Sequence, residues 1–313
     1  MSNRKAVFII GPTASGKTAL AVEMALRING EIINADSMQI YQQLDIGSAK
    51  PDERERRGIS HHLLDILSLG EDFSVAAYQT MAFAAMEDIC ARGKLPIVCG
   101  GTGLYINALT QKMDFTAIKG DPALRQKLLD FAKNQGPLAL HQQLQEKDAE
   151  TAARLHPNDT KRIVRALEVF ELTGKPFSQQ TEAFGQRPPA DYPLSMIGIR
   201  WQRENLNRRI DARVEAMMEK GLYKEALNLH KTGISTGHPS MMGLGYRQLY
   251  AGFEGGIEPS ETVETIKRET RRYAKRQMTW FQKDLRIHWL QGENYDPIGL
   301  ADAAQAYIEH DLG

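Results

Sequence analysis

Residues 11–18 of the chain, which spell G-P-T-A-S-G-K-T, constrain its fold more than any other segment. A continuous apolar run from Ala6 to Ile10 precedes them, and residues 17–27 carry apolar side chains at helical spacing. Glycines at both ends of such a motif let the backbone curl, so that successive N–H groups point at phosphate oxygens. The pattern predicts a buried strand, a phosphate-binding loop and a helix whose positive dipole end faces the bound anion.

The whole motif is predicted to hold a diphosphate or triphosphate group. Its residues are Gly11, Pro12, Thr13, Ala14, Ser15, Gly16, Lys17 and Thr18. The ammonium of Lys17 adds a full positive charge, and the hydroxyl of Thr18 can ligate magnesium. From this loop alone the expected ligand would be a nucleotide such as ATP. A GTPase is not indicated, because the chain has no N-K-x-D segment to recognise guanine.

Strand-like runs alternate with helical ones along the first and last parts of the chain. The runs are at residues 31–35, 95–99, 194–201 and 287–290. This alternation predicts an α/β fold with a parallel-sheet core like that of the P-loop NTPases. Residues 121–184 show helical periodicity only, and proline-rich residues 186–193 indicate a linker, so we expect a helical insertion domain. The predicted parts are residues 1–117 (core), 118–193 (insertion) and 194–313 (second part of the core).

Two of the predicted strands end in ways that narrow the chemistry. A motor-type ATPase needs an acid at the end of a core strand to hold magnesium, but the strand at 95–99 ends in Gly100 and Gly101. The strand at 31–35 ends in Asp36, which places a carboxylate on the sheet edge where ligands bind in open α/β sheets. The spacing leaves two interpretations of Asp36 open: a functional carboxylate, or a helix cap beside Ser37.

Composition excludes several classes of protein. Lys and Arg total 39, and so do Asp and Glu, which argues against a general polyanion binder. Two cysteines predict a reduced, cytoplasmic protein without disulfides. No apolar run approaches the length of a membrane span, and the first one is too short for a signal peptide. Because nothing marks an oligomer interface, we expect a monomer.

Basic residues are nevertheless concentrated in two segments. Residues 267–286 hold eight Lys or Arg against two acids. On a helix they would form a basic stripe opposite an aromatic face, which is the footprint expected for a nucleic-acid backbone. Residues 154–165, within the predicted insertion, form a second basic patch. One extended polyanionic partner would explain both segments, whereas the alternative for each cation is a solvated surface charge.

The ordered motifs together resemble those of the bacterial tRNA dimethylallyltransferases, along almost the whole chain. Besides the phosphate loop they are A-D-S-M-Q-I-Y (35–41), I-G-S-A-K-P (46–51), G-G-T-G-L-Y (100–105), H-P-N-D (156–159), R-A-L-E (165–168), G-L-G-Y-R-Q (243–248) and A-K-R-Q-M-T-W-F (274–281). The resemblance implies that a dimethylallyl group moves from dimethylallyl diphosphate to the exocyclic amine of adenosine 37, beside the anticodon of tRNA. Diphosphate is the leaving group.

The resemblance also implies roles for individual residues. The phosphate loop and Arg213 would hold the diphosphate, with magnesium at Thr18. Asp36 would be the general base for the adenine amine, and Thr102 would help to position the same base. The residues expected to contact the anticodon stem-loop of tRNA are Asp36, Ser37, Met38, Gln39, Thr102, Arg125, Lys161, Arg162, Ile163, Val164, Arg165, Gly245, Tyr246, Arg247, Gln248, Lys275, Arg276 and Gln277.

Two other functions compete with this one. A small-molecule or nucleoside kinase would explain the phosphate loop, but it gives the two basic segments no role. A non-catalytic RNA-binding protein with a vestigial nucleotide site would explain the basic segments, but it gives Asp36 no role.

Overall fold

The computed structural model describes residues 5–112, 120–180 and 190–312. They divide into two compact units. The larger unit comprises Met1–Thr110 and Ala190–Gly313, and the smaller comprises Gln111–Pro189. The larger unit carries the phosphate loop and every strand named below. The smaller unit is built from helices.

Six parallel strands form the sheet, in the order β3-β2-β4-β1-β5-β6. The strands are β1 (Ala6–Ile10), β2 (Gly30–Asn34), β3 (His61–His62), β4 (Leu95–Gly100), β5 (Leu194–Arg200) and β6 (His288–Gln291). The predicted α/β fold is confirmed, and all strands except β3 lie within one residue of their predicted positions. The short β3 was not predicted, because two adjacent histidines carry no strand pattern.

Fourteen helices are present in the described part of the chain. In chain order they are α1 (Lys17–Arg27), α2 (Glu53–Arg56), α3 (Val75–Ala91), α4 (Gly103–Thr110), α5 (Pro122–Gln135), α6 (Pro137–Lys147), α7 (Ala149–Arg154), α8 (Thr160–Thr173), α9 (Phe177–Gln180), α10 (Arg203–Glu219), α11 (Leu222–His230), α12 (Tyr246–Gly255), α13 (Pro259–Phe281) and α14 (Pro297–Leu312). None of them has the length and apolar character needed to cross a membrane.

The side chains of β1 alternate between two cores, as the period of a strand requires. Phe8 and Ile10 pack in one core with residues of α3 and α4. Val7 and Ile9 pack in the other with residues of α1 and α14. Because both faces of the sheet are covered, the loops at the carboxyl edge of β1, β2 and β4 start from rigid positions. A separate apolar cluster packs α10 to α13 against residues 40–44.

A carboxylate buried in β2 connects the edge of the sheet to its surroundings. Glu31 accepts hydrogen bonds from Arg92 Nη2 at 2.8 Å, Lys94 Nζ at 2.8 Å and His62 Nε2 at 2.7 Å. Its side chain is 3% exposed. The Arg92 guanidinium, first among these partners, holds the pKa of Glu31 well below its usual value. The hydrogen bond from His62 thus joins a side chain of β3 to one of β2.

Within residues 120–180, the smaller unit contains α5 to α9. Asp121 accepts hydrogen bonds from the backbone of Ala123 and Leu124 and caps α5, and Gly174, with a φ of 69°, ends α8. Both boundaries follow from local sequence, since Pro122 follows Asp121 and Pro176 comes two residues after Gly174. The insertion was expected to extend to residue 193, but residues 190–193 belong to the larger unit, where Ala190 N donates to Thr110 O. The predicted boundary between residues 117 and 118 lies outside the described residues.

Candidate functional site

The phosphate loop joins β1 to α1 and owes its path to two glycines. Gly11 has a φ of 157°, and a Cβ there would lie 2.9 Å from the carbonyl oxygen of Ile199. Gly16 has a φ of 96° and directly precedes α1. Both positions exclude a side chain, one by space and the other by backbone conformation. The helix therefore starts where the motif predicts, with its N–H groups at the open end of the loop.

Side chains from outside the motif bind the carbonyl oxygens of the loop. Arg209 Nε donates to Ala14 O at 2.9 Å, and Trp201 Nε1 donates to Ser15 O at 2.9 Å. The guanidinium of Arg209 also lies 4.2 Å from the centroid of the Trp201 ring, a cation–π distance. Within the motif, Lys17 Nζ donates to Pro12 O at 3.2 Å. The loop is thus fixed in shape on the side of its carbonyl groups.

Arg209 and Trp201 were not predicted as site residues, whereas Arg213, which follows Arg209 by one turn of α10, was. The signal that could have indicated both arginines is their spacing of four residues on one helix, which places them on one face.

A cavity of about 500 Å³ opens in front of the loop. Its wall contains Lys17, Thr18, Asp36, Arg209 and Arg213. Burial lowers the pKa of the Lys17 ammonium, while the Asp36 carboxylate acts in the opposite direction. Burial likewise lowers the pKa of Arg213. Partly desolvated cations next to a phosphate loop are arranged to stabilise an anion.

A second cavity, of about 290 Å³, shares part of its wall with the first. Lys17, Asp36 and Arg213 line both. The rest of the second wall is largely apolar and includes Met38, Ile210, Val214, Met217, Leu222 and Ile266. The two cavities therefore provide a cationic space and an apolar space, with the carboxylate of Asp36 at their junction.

Asp36 is held by the backbone around it. Its Oδ1 accepts a hydrogen bond from Met38 N at 2.9 Å, and its own N–H donates to Asn34 Oδ1 at 3.0 Å. The Asn34 side chain in turn donates to Asp36 O at 3.0 Å. The carboxylate thus stabilises the turn that follows β2, and it also lines both cavities. The helix-cap interpretation is wrong, because a turn and not a helix follows Asp36, and its role as a functional carboxylate stays a prediction.

Thr102 acts on the segment after Asp36. Its Oγ1 accepts a hydrogen bond from Ser37 N at 3.0 Å, and its backbone N–H donates to Ala35 O at 3.1 Å. The strand that ends here, β4, lies directly beside β1 and carries no acid at its end. A Cβ at Gly100 would lie 2.2 Å from Ala35 O. The close approach of these two backbones explains why no acid occupies that position.

The I-G-S-A-K-P segment forms another part of the wall shared by the cavities. Gln39 Nε2 donates to Ser48 O and to Ala49 O, both at 3.1 Å. From α11, the carboxylate of Glu225 accepts hydrogen bonds from the backbone N–H groups of Ile46 and Gly47. These contacts hold Ser48 and Ala49 in the position where they line both cavities.

Two residues predicted to contact tRNA have internal partners instead. The hydroxyl of Tyr246 donates to Glu225 Oε1 at 2.6 Å, and the side chain is fully buried. Gln248 is buried as well, and its Oε1 accepts a hydrogen bond from Gly245 N at 2.9 Å. Neither side chain is on the outer surface, and a contact of either one with tRNA stays a prediction. Gly245 and Arg247 line the second cavity together with Tyr246.

The basic stripe on α13 is smaller than the sequence indicated. Lys267 forms ion pairs with Glu215 and Glu264, and Arg271 forms one with Asp211. The prediction counted acids within the segment only, whereas Asp211 and Glu215 come from α10. The residues that line a groove of about 410 Å³ on this helix are Arg272, Lys275, Arg276, Thr279, Trp280 and Lys283. This basic groove is still rich in cations, although one of them, Arg272, pairs with Glu269 at 2.6 Å.

In the smaller unit, the predicted tRNA contacts divide by burial. Ile163 and Val164 are 0% and 2% exposed and pack in the core of the unit, so their side chains cannot reach a partner. Arg125 and Arg165 both donate to the buried carboxylate of Glu168. Among the predicted contacts in this unit, Lys161 and Arg162 are therefore exposed, and Arg125 and Arg165 are held in place by Glu168.

Magnesium was predicted at Thr18. Within the described ranges, no group of three or more His, Cys, Asp or Glu side chains could hold a metal. Thr18 and Asp36 both line the first cavity and offer a hydroxyl and a carboxylate oxygen. Magnesium sites often use one or two protein oxygens together with phosphate oxygens and water, so this donor set fits the ion when a diphosphate is present.

Comparisons with known proteins agree with the geometry. The family model for IPP transferase matches residues 39–284. A tRNA dimethylallyltransferase of Acetivibrio thermocellus is 48% identical over 288 residues, which are 92% of each chain. A tRNA isopentenylpyrophosphate transferase from Bacillus halodurans has a crystal structure that superposes with a TM-score of 0.73 at 38% identity, over 99% of this chain and 98% of that one.

A second solved structure is a eukaryotic dimethylallyltransferase described as acting on tRNA. It aligns with a TM-score of 0.80 at 29% identity and covers 97% of this chain and 78% of its own. A match of the family model to most of the chain, together with relatives of this identity and coverage, establishes membership. The chain belongs to the IPP transferase family, whose members include the tRNA dimethylallyltransferases.

Proposed function

We propose that this protein transfers the dimethylallyl group of dimethylallyl diphosphate to the exocyclic amine of adenosine 37 in tRNA. Family membership supports the reaction class. The position of Asp36 supports the assignment of roles to individual residues. It lies between a cationic cavity, which contains the phosphate loop, and an apolar cavity. A kinase would need no apolar space at this junction, and a binding protein would need no carboxylate there.

The diphosphate would lie in the first cavity. The carbon–oxygen bond of the donor breaks and the diphosphate leaves with the electron pair, so negative charge grows on its bridging oxygen. Lys17, Arg213 and the N–H groups at the start of α1 are oriented before the reaction and stabilise that charge. Magnesium, held through Thr18, would supply further positive charge to the diphosphate.

The five-carbon group would contact the apolar wall of the second cavity. The adenine amine attacks the donor carbon, a nitrogen–carbon bond forms, and one amine proton moves to the carboxylate of Asp36. An aromatic amine is a poor nucleophile, so removing its proton as the bond forms lowers the barrier. The hydrogen bond from Met38 N to Oδ1 keeps the carboxylate in place during this step.

The adenosine would have to leave the base stack to reach Asp36. The basic groove on α13 and the exposed cations Lys161 and Arg162 would bind the RNA backbone. Arg276 lines both the basic groove and the second cavity, which supports continuity between the backbone-binding surface and the site of reaction. A cytoplasmic location and a monomeric state stay predictions of the sequence.

Asp36→Asn tests the proposal. Asparagine retains an acceptor for Met38 N but cannot take the amine proton, so we expect kcat to fall about 100-fold or more. The affinity for an anticodon stem-loop RNA should stay within about twofold. The matched control is Asp88→Asn on the exposed side of α3, where the carboxylate pairs with Arg92.

Mass spectrometry of unmodified tRNA incubated with dimethylallyl diphosphate and magnesium measures the transfer. If the wild-type protein leaves the RNA unchanged and instead phosphorylates an acceptor with ATP, it is a kinase and the proposal is wrong. If Asp36→Asn transfers as fast as Asp88→Asn, the role of Asp36 as base is wrong.

A further inference from the structure

Gln277 lies on the inner face of α13, where its side-chain amide joins two separate loops. Oε1 accepts a hydrogen bond from Thr13 N at 2.9 Å, and Nε2 donates one to Gly101 O at 2.9 Å. Thr13 belongs to the phosphate loop, and Gly101 follows β4. The residue is 6% exposed. One buried side chain thus fixes the phosphate loop to the end of the neighbouring strand.

The packing around this amide allows little rearrangement. A Cβ at Gly101 would lie 2.3 Å from Gln277 Nε2, and one at Gly103 would lie 2.3 Å from the Trp280 ring. The inner face of α13 therefore rests directly on the G-G-T-G segment. The amide oxygen and nitrogen are each paired with a backbone group, and Gln277 lines the second cavity but not the first, in front of the phosphate loop.

We propose that Gln277 is a positioning residue for diphosphate binding, an inference that rests on the function proposed above. The amide binds Thr13 N–H before any ligand arrives and holds the first half of the phosphate loop in its open shape. Without it the N–H would be left unsatisfied in a partly buried place, and the loop would have to be ordered when diphosphate binds. Preorganisation by Gln277 thus raises affinity without a contact to phosphate.

This role differs from the one that the sequence resemblance implied. There Gln277 was expected to contact tRNA, together with Lys275 and Arg276. A positioning residue changes diphosphate affinity and leaves RNA affinity alone, whereas an RNA contact does the reverse. The two roles can therefore be separated by measuring both affinities on the same variant.

The experiment compares Gln277→Met with Gln79→Met. Methionine keeps the length of the side chain and removes both hydrogen bonds. Gln79 is the matched control, because its Nε2 also donates to a backbone carbonyl, that of Ala108, at 2.6 Å, and it lines neither cavity. Calorimetry gives the Kd of inorganic diphosphate with magnesium, fluorescence anisotropy gives the Kd of an anticodon stem-loop RNA, and hydrogen exchange reports the amides of residues 11–17.

We expect the Kd of diphosphate to rise about tenfold in Gln277→Met and less than about twofold in Gln79→Met. The RNA Kd should change less than about twofold in both, and amide exchange in residues 11–17 should accelerate in Gln277→Met only. If Gln277→Met does not fold, Gln277→Asn replaces it with the same expectation, because the shorter amide cannot reach both loops.

Unchanged diphosphate affinity with weakened RNA binding would overturn the inference. Equal diphosphate affinities of Gln277→Met and Gln79→Met would also overturn it. If the wild-type protein is active in that experiment, the proposed function would still stand. A wild-type protein that neither binds diphosphate nor modifies tRNA would overturn the proposed function and this inference with it.

Discussion

Arg209→Met is expected to weaken the use of dimethylallyl diphosphate, although the phosphate motif does not include Arg209. The Nε–Ala14 O hydrogen bond of 2.9 Å and the stacking on Trp201 at 4.2 Å both depend on the guanidinium. Trp201 itself binds Ser15 O, so the pair supports two successive carbonyl groups of the loop. Methionine keeps much of the side-chain volume and removes the charge and the donor.

The size of the effect follows from the two contacts. A hydrogen bond from a charged donor contributes about 1.5–3 kcal/mol, and an exposed cation–π pair contributes about 0.5–1 kcal/mol. Because the guanidinium of Arg209 is partly exposed, solvent screens both contacts and the lower ends of these ranges apply. Together they amount to about 2 kcal/mol, which corresponds to about a 30-fold change in affinity.

The assay is steady-state transfer at saturating RNA, which gives kcat/KM for dimethylallyl diphosphate. Arg208→Met is the matched control, because Arg208 is the preceding residue on the same helix and its Nη2 donates to Asn205 Oδ1 at 2.6 Å, away from the loop. We expect a loss of about 30-fold for Arg209→Met and less than about twofold for Arg208→Met. Equal values for the two variants would refute the conclusion that the loop needs support on its carbonyl side.

Three further predictions concern stability and RNA binding. Because the pKa of Glu31 is lowered from 4.5 in the folded state, its carboxylate stabilises the fold above about pH 4.5, and this effect is lost as the pH falls further. In urea titrations, Glu31→Gln should therefore lower the free energy of unfolding by about 2 kcal/mol at pH 7 and by less in acid, and a pH-independent loss would contradict this. In the same assay, Gly100→Ala should lower the free energy of unfolding by about 3 kcal/mol or more, because the new Cβ would lie 2.2 Å from Ala35 O. An unfolding free energy equal to that of the wild type would show that the backbones at residues 35 and 100 can separate. Lys275→Gln should reduce the slope of log affinity for RNA against log salt concentration by about 1, whereas Lys267→Gln should change the slope less, because the Lys267 ammonium is already paired with Glu215 and Glu264. Equal changes in the two variants would argue against the basic groove as the RNA-binding surface.

Most of the fold could be predicted from sequence because its signals are local. A buried parallel strand is a short apolar run, and Ala6 to Ile10 is one. The start of α5 at Asp121 and the end of α8 at Gly174 follow from capping chemistry within a few residues. His61 and His62 form a strand only because Ser60, His61 and His62 pair with β2, and no pattern within the segment indicates that pairing.

The candidate site was harder to predict, because its residues depend on partners that are distant in sequence. The motif from Gly11 to Thr18 specifies the path of the loop backbone, but its spacing does not indicate which other residues stabilise that path. The groups that stabilise the path are Gln277, Arg209 and Trp201, which lie about 190 to 260 residues further along the chain. The same distance made the basic stripe look larger than it is, because the acids that pair with Lys267 and Arg271 lie on α10. A phosphate loop without these partners would match the motif equally well but would have to be ordered by its ligand. The affinity of this site for diphosphate should therefore depend as much on α10 and α13 as on the eight residues that identify it.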